Sequence, residues 1–330
     1  MNESLEWCRE MLPRVSRSFA LGILSLPQPF EQWVTNAYLL CRIADTVEDA
    51  PDIPWPVRRQ MFLDFEDALL GGSPAALQSK THLMPPGDDR TLCEGTYKVL
   101  EVTRSFPPEV QHILHTWVGE MTYGIATYAR RHQPGGRTVL HDAEDLQRYC
   151  WYVAGTVGHL LTELFISGFP SLGDKEHTLR ERASKFGLLL QLTNIVKDVT
   201  DDWERDWCFI PATIQRAAGV PDGGLLEPAN QRQAQAAVDA VNDLARTCFP
   251  EAVAYCTALP AEAEAVRRFC LFPMLMAGRT LLLAQGNPAT LTAGSPVKVS
   301  REAVAEVLER TEQLLADDER IAALQLDQVF

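Results

Sequence analysis

Gly187-Leu-Leu-Leu-Gln191-Leu-Thr-Asn194-Ile-Val-Lys197-Asp198-Val-Thr-Asp201-Asp202-Trp203 passes from an almost wholly apolar run into a row of oxygen-bearing side chains. Asn194, Asp198 and Asp202 recur at every fourth residue, the spacing that puts side chains on one face of an α-helix. The spacing predicts a helix over 176–203 whose last turns carry a polar stripe. A second stretch has the same plan. Tyr38-Leu-Leu-Cys-Arg42-Ile-Ala-Asp45-Thr-Val-Glu48-Asp49 ends a strongly apolar helical pattern, predicted over 28–49, with Asp45 and Asp49 one turn apart and Glu48 beside them.

Helical periodicity dominates the rest of the 330 residues, and no sustained apolar/polar alternation argues for a sheet. The expected fold class is therefore all-α. Further helices are predicted over 90–104, 108–131, 142–166, 231–247, 250–258, 261–285 and 300–315. Short Pro- and Gly-rich breaks separate them, which favours one compact domain over residues 1–330. The residues after Asp317 are expected to fray.

Composition bounds the function. Forty-four acidic against thirty basic residues give a formal charge of -14, which argues against a phosphate-backbone partner such as nucleic acid. An anionic ligand then needs a local device, a metal ion or a few placed cations. Eight scattered cysteines without a Cys-x-x-Cys pair read as reduced core residues. Residues 1–17 carry Glu3, Glu6 and Glu10 and do not resemble a secretory signal. The most apolar stretch, residues 269–284, is interrupted by Pro273, Gly278 and Arg279 and reads as a buried helix. A cytoplasmic protein without a transmembrane segment is expected, with peripheral membrane contact left open.

Two carboxylates one helical turn apart repel each other unless a cation lies between them, and Mg²⁺ takes a few carboxylate oxygens while filling its other positions with water and phosphate. One such pair alone reads more simply as the solvated end of a helix. Two, each at the end of an apolar helix, suggest an apolar cavity with acidic lips in which Mg²⁺ would neutralise a departing diphosphate. Arg42 and Lys197 are placed either to reach phosphate oxygens or to form intrahelical ion pairs. Ser16-Arg17-Ser18-Phe19 offers an anion hydroxyls and a guanidinium, or a helix its cap. Tyr149-Cys-Trp-Tyr-Val-Ala-Gly155-Thr-Val-Gly158-His159 places two glycines in a helical pattern, implying close approach of a helix or a bulky apolar ligand. Tyr149 reads equally as a core residue and as a polar group at a cavity wall. No Glu-x-x-His pair of a di-metal carboxylate bundle and no Gly-x-Gly-x-x-Gly loop occurs.

These motifs, in this order, resemble the squalene and phytoene synthase family. The resemblance implies an isoprenoid synthase-type helical bundle around a central apolar cavity, condensing two isoprenoid diphosphates head to head. It assigns Asp45, Glu48, Asp49, Asn194, Asp198 and Asp202 to Mg²⁺, and Tyr149 to the first half-reaction. Ser18, Arg17, Tyr38, Arg42, Gln191, Asn194 and Lys197 are assigned to substrate. Asp45-Thr-Val-Glu-Asp49 and Phe269-Cys-Leu-Phe-Pro273 are more similar to the squalene-forming branch, which implies farnesyl diphosphate as substrate and NADPH as reductant. Val297-Lys298-Val-Ser300-Arg301 resembles that branch's NADPH-binding segment, with Lys298 and Arg301 as the contacts and Ser300 where a second cation is expected. A dehydrosqualene, phytoene or presqualene diphosphate synthase, sharing the metal site without the reductive step, is the alternative. Arg205-Asp-Trp-Cys-Phe-Ile-Pro211 departs from the family's Gly-Gly-Arg, so a phosphate-facing arginine is displaced to Arg205 or absent.

Overall fold

The structure, a computed structural model, describes residues 2–16, 19–50, 52–132, 136–294 and 297–328. The helices are α1 (Asn2–Val15), α2 (Ala20–Leu24), α3 (Phe30–Glu48), α4 (Trp55–Leu69), α5 (Ala75–Gln78), α6 (Asp88–Glu94), α7 (Thr96–Ser105) and α8 (Pro108–Ala129). They are followed by α9 (Ala143–Cys150), α10 (Thr156–Gly168), α11 (Glu176–Lys197), α12 (Val199–Glu204) and α13 (Ala212–Ala217). The last four are α14 (Gln231–Ala258), α15 (Glu264–Ala284), α16 (Arg301–Leu314) and α17 (Asp318–Ala322). The fold class is all-α, as its periodicity requires. Extended structure among the described residues is confined to a parallel pairing of β1 (Thr138–Val139) with β2 (Trp207–Cys208).

The chain divides into two compact units, Met1–Pro134 with His159–Gly173, and Gly135–Gly158 with Asp174–Phe330. In the first, α3 is apolar nearly all round, with Trp33, Val34, Ala37, Leu40, Ile43 and Val47 buried. A helix of that kind belongs at the centre of a core, and α3 packs against α1, α4, α6, α7 and α8. Its C-terminal acids are thus carried on the central, most buried helix of the unit's core.

In the second unit the central element is α11, packed against α9, α14 and α15. A five-residue π-helix, Trp151–Gly155, follows α9 and also lies on α11. Here the close approach is between backbones. A Cβ on Gly158 would stand 2.1 Å from the Ala183 carbonyl oxygen, and one on Gly187 2.1 Å from that of Ala154. Of the two glycines in the 149–159 pattern, Gly158 therefore serves helix packing, matched by Gly187 from the other side, whereas a Cβ on Gly155 would meet the Trp151 ring at 2.9 Å.

Several predicted boundaries are corrected by tertiary packing. The helix expected over 90–104 is two, α6 and α7, broken at Gly95, where the Trp7 ring fills the space a side chain would need. The break expected between the helices 231–247 and 250–258 is absent: α14 runs through it and through Pro250, with Ala245, Cys248, Phe249, Ala252 and Val253 buried on both sides. The described residues after Asp317, to 328, are anchored, contrary to expectation. Ile321 is fully buried in α17, and Arg267 donates to the Leu315 carbonyl at 2.7 Å and to Asp318 at 2.6 Å. All eight cysteines are buried and unbridged, and burial raises their thiol pKa values away from reactivity. No helix among the described residues is long and apolar enough to cross a membrane.

Candidate active site

The first acidic segment is the C-terminal end of α3. Asp49 caps the helix, its N–H donating to the Asp45 carbonyl at 2.8 Å. Asp45 and Glu48 are half-buried and Asp49 is exposed. Burial pushes the Asp45 carboxyl up to about 7; Arg42 opposes the shift, while Asp49 and Asp89 add to it. A helix C-terminus is itself negative and favours cations. Dipole, burial and repulsion by Asp49 and Asp89 therefore all act against the charge Asp45 carries.

Arg42 does not form the intrahelical pair considered from sequence. Its Nε and Nη2 donate to the two oxygens of Asp89 on α6, at 2.9 and 3.0 Å. Asp89 was not singled out by sequence reasoning, because an acid in the first turn of a helix is ordinary. The half-buried Tyr38 hydroxyl donates to the Val15 carbonyl at 3.4 Å, and burial raises its pKa. Ser16 Oγ accepts from the Phe19 N–H at 3.1 Å in the turn ahead of α2, whose N-cap is Phe19 itself. Arg17 and Ser18 lie outside the described residues.

The second acidic segment is not one continuous helix. α11 ends at Lys197, Asp198 adopts φ -106° and ψ 21°, and α12 starts at Val199. The row survives the break, because Asp198 N–H donates to the Asn194 carbonyl at 2.8 Å and Asp202 N–H to the Asp198 carbonyl at 2.9 Å. Asn194 is exposed, Asp198 and Gln191 are half-buried, and Asp202 is buried. Burial pushes Asp202 up to about 6, with Arg205 opposing and Asp198 and Asp201 adding. Lys197 Nζ lies 2.9 Å from Asp198, and Arg205 Nη2 lies 2.6 Å from Asp202. Both cations are thus paired with candidate metal ligands of their own segment.

Tyr149 is buried on α9 and its ring stacks on Phe209 with centroids 4.7 Å apart; Phe209 in turn stacks on Trp207 at 5.2 Å. Phe209 also lines a shallow recess with Ile195, Val199, Asp202, Cys208 and Ile210. Two further residues escaped the sequence reading. The Arg137 guanidinium lies 3.5 Å over the Trp203 ring and donates to the Trp203 carbonyl at 3.1 Å. Asp206, with φ 60°, makes the tight turn that leads from α12 into β2, and Arg137 lies 3.4 Å from its carboxylate. The aromatic alternation Trp207/Phe209 is the one sequence feature that could have drawn attention to this wall. Lys298 and Arg301 are exposed at the start of α16, where Ser300 Oγ accepts from Ala303 N–H at 3.2 Å. Ser300 is accordingly a helix cap.

The oxygen-only donors of both segments suit a hard divalent cation, whereas zinc sites favour nitrogen and sulfur ligands. Among the described residues no three Asp, Glu, His or Cys side chains converge into a closed cluster.

The chain belongs to the squalene/phytoene synthase family, whose match covers residues 12–303. It is 29% identical over 291 residues to the Botryococcus squalene synthase of Botryococcus braunii, covering 86% of this chain and 58% of that protein. It is 28% identical over 286 residues to the squalene synthase of Schizosaccharomyces pombe, covering 87% and 61%. The chain thus spans about three fifths of the length of these curated relatives. Among solved structures, the complex of TcSQS with the ligand BPH1237 superposes with a TM-score of 0.81 at 26% identity, covering 97% of this chain and 92% of that one. The all-α isoprenoid synthase fold is common to both.

Proposed function

We propose that the chain is a Mg²⁺-dependent prenyltransferase of the squalene synthase type. It joins two farnesyl diphosphates head to head through presqualene diphosphate and reduces the product to squalene with NADPH. One observation carries this reading: at the end of α3 and at the α11–α12 junction, burial and neighbouring carboxylates act against the charge of one acid in each row, with Asp45 raised to about 7 and Asp202 to about 6. A divalent cation relieves both penalties at once. Family membership and the named squalene synthase relatives support the substrate class.

Asp45, Glu48 and Asp49 would hold metal at the first segment, and Asn194, Asp198 and Asp202 at the second. Mg²⁺ bound there neutralises the charge of a departing diphosphate. Arg42 and Lys197 bind diphosphate oxygens on exchanging their present carboxylate partners, Asp89 and Asp198. Gln191, Tyr38, Arg17 and Ser18 are assigned to the same anions. Tyr149 relays the proton lost in the first condensation, its hydroxyl giving its own proton to the departing diphosphate as it accepts the one released, and the rings of Trp207 and Phe209 beside it offer π faces to a carbocation and exclude water. Lys298 and Arg301 are assigned to NADPH.

Ser300 favours a second reading for the last step. It caps α16 at the position where a second NADPH-binding cation is expected, which suits a synthase that stops at presqualene diphosphate or releases dehydrosqualene. The experiment that tests the shared chemistry is pyrophosphate release from farnesyl diphosphate. Release that requires Mg²⁺ and stops with chelator supports the reading; saturable binding without release would mark a non-catalytic isoprenoid-binding protein.

A further inference from the structure

Arg58, on α4, is among the largest fully buried side chains of the protein, 2% exposed. Its Nη1 donates to the Glu48 carbonyl at 3.1 Å and its Nη2 to the Ala129 carbonyl at 3.4 Å. These are the last residues of α3 and α8. The final carbonyls of a helix lack intrahelical partners, and the negative end of the dipole attracts a cation. One guanidinium therefore closes two helix ends, one of which carries the first acidic segment. Burial works against the Arg58 charge, and the Glu48 carboxylate works in its favour.

We infer that Arg58 is a positioning residue for the first acidic segment: it fixes the backbone at Glu48 from which the Glu48 and Asp49 carboxylates project, and thereby sets divalent-cation affinity there. The inference rests on the reading of these acids as metal-holding. It is separable from mere support of the fold because the protein supplies its own control. Arg267, on α15, is equally buried and donates to the carbonyls of Leu259 and Leu315, in segments that carry none of the candidate acids.

The test is Mg²⁺ titration of the full chain by calorimetry in the presence of inorganic pyrophosphate, alongside thermal unfolding, for the parent, Arg58→Met, Arg58→Lys and Arg267→Met. Loss of a group that orients metal ligands typically weakens binding by about 10- to 100-fold. Arg58→Met is expected to lose at least about tenfold in Mg²⁺ affinity, and Arg58→Lys to recover part of it. Arg267→Met is expected to lower the melting temperature without changing Mg²⁺ affinity. Unchanged affinity in a folded Arg58→Met, or equal weakening in Arg58→Met and Arg267→Met, would overturn the inference. Where Arg58→Met does not fold, Arg58→Lys decides, since parental Mg²⁺ affinity in that variant contradicts a positioning role. Absence of Mg²⁺ binding by the parent would instead overturn the metal reading itself.

Discussion

Arg42 grips Asp89 with two hydrogen bonds, at 2.9 and 3.0 Å, while standing three residues before Asp45 on the same helix. The guanidinium is thus shared between a carboxylate it pairs and one whose charge it stabilises only at a distance. Asp45 remains under-neutralised, at about 7.

A stability consequence follows for the metal-free protein. Asp45 binds its proton more tightly folded than unfolded, so its contribution to stability is greatest below about 4 and is lost as pH rises through about 7. Asp45→Asn should therefore match the parent near pH 4 and become progressively more stable than it up to about pH 7, with a constant difference above. Melting temperature against pH in chelator measures this. A difference that does not grow over that window contradicts the placement of Asp45.

Asp198→Ala removes a proposed metal ligand and one source of the repulsion on Asp202. Metal ions supply several kcal/mol of charge stabilisation at such sites, so turnover should fall at least about a hundredfold while the far-ultraviolet circular dichroism is retained. Asp45→Ala should behave alike. Parental turnover in either variant removes that residue from the metal site.

Tyr149 owes its packing to its ring and its proposed chemistry to its hydroxyl, so the two can be separated. Tyr149→Phe preserves the stack on Phe209 and should lose about 10²- to 10⁴-fold in rate if the hydroxyl carries a proton, while its far-ultraviolet circular dichroism is retained. Equal rates for Tyr149→Phe and the parent would leave only the core role.

The Gly158 contact makes a prediction about the fold alone. An alanine Cβ would meet the Ala183 carbonyl at 2.1 Å, a backbone atom that cannot rotate away. Gly158→Ala should cost about 3 kcal/mol, the upper part of the usual range for overpacking. Urea unfolding at equilibrium reads this directly, and an unchanged midpoint would show that the two helices separate without penalty.

What is legible in the sequence is what depends on spacing along one helix. The apolar pattern of 28–49 matches α3 closely, and the acids at its end need only helical geometry to fall on one side. The same geometry exposes the 194/198/202 row, but not the break at Asp198, which turns on two backbone angles at the α11–α12 junction. Partnerships between elements are not legible. Nothing in the local pattern around Asp89 distinguishes it from any acid at a helix start, and only the packing of α6 against α3 brings it to Arg42. Arg58 is invisible for the same reason, since an arginine in an amphipathic helix reads as solvated until its neighbours are known. The errors between 247 and 250 and after Asp317 are of one kind: burial of Phe249 and Val253, and of Ile321, outweighs local breakers and end effects.

The most direct measurement is mass-spectrometric product analysis after incubation of the chain with farnesyl diphosphate and Mg²⁺, with and without NADPH. Squalene formed only with the reductant is the predicted result. Farnesyl diphosphate left unjoined under both conditions, by folded protein with Mg²⁺ bound, would contradict the account; a joined product formed equally well without NADPH would retain the acidic site and discard the reductive step.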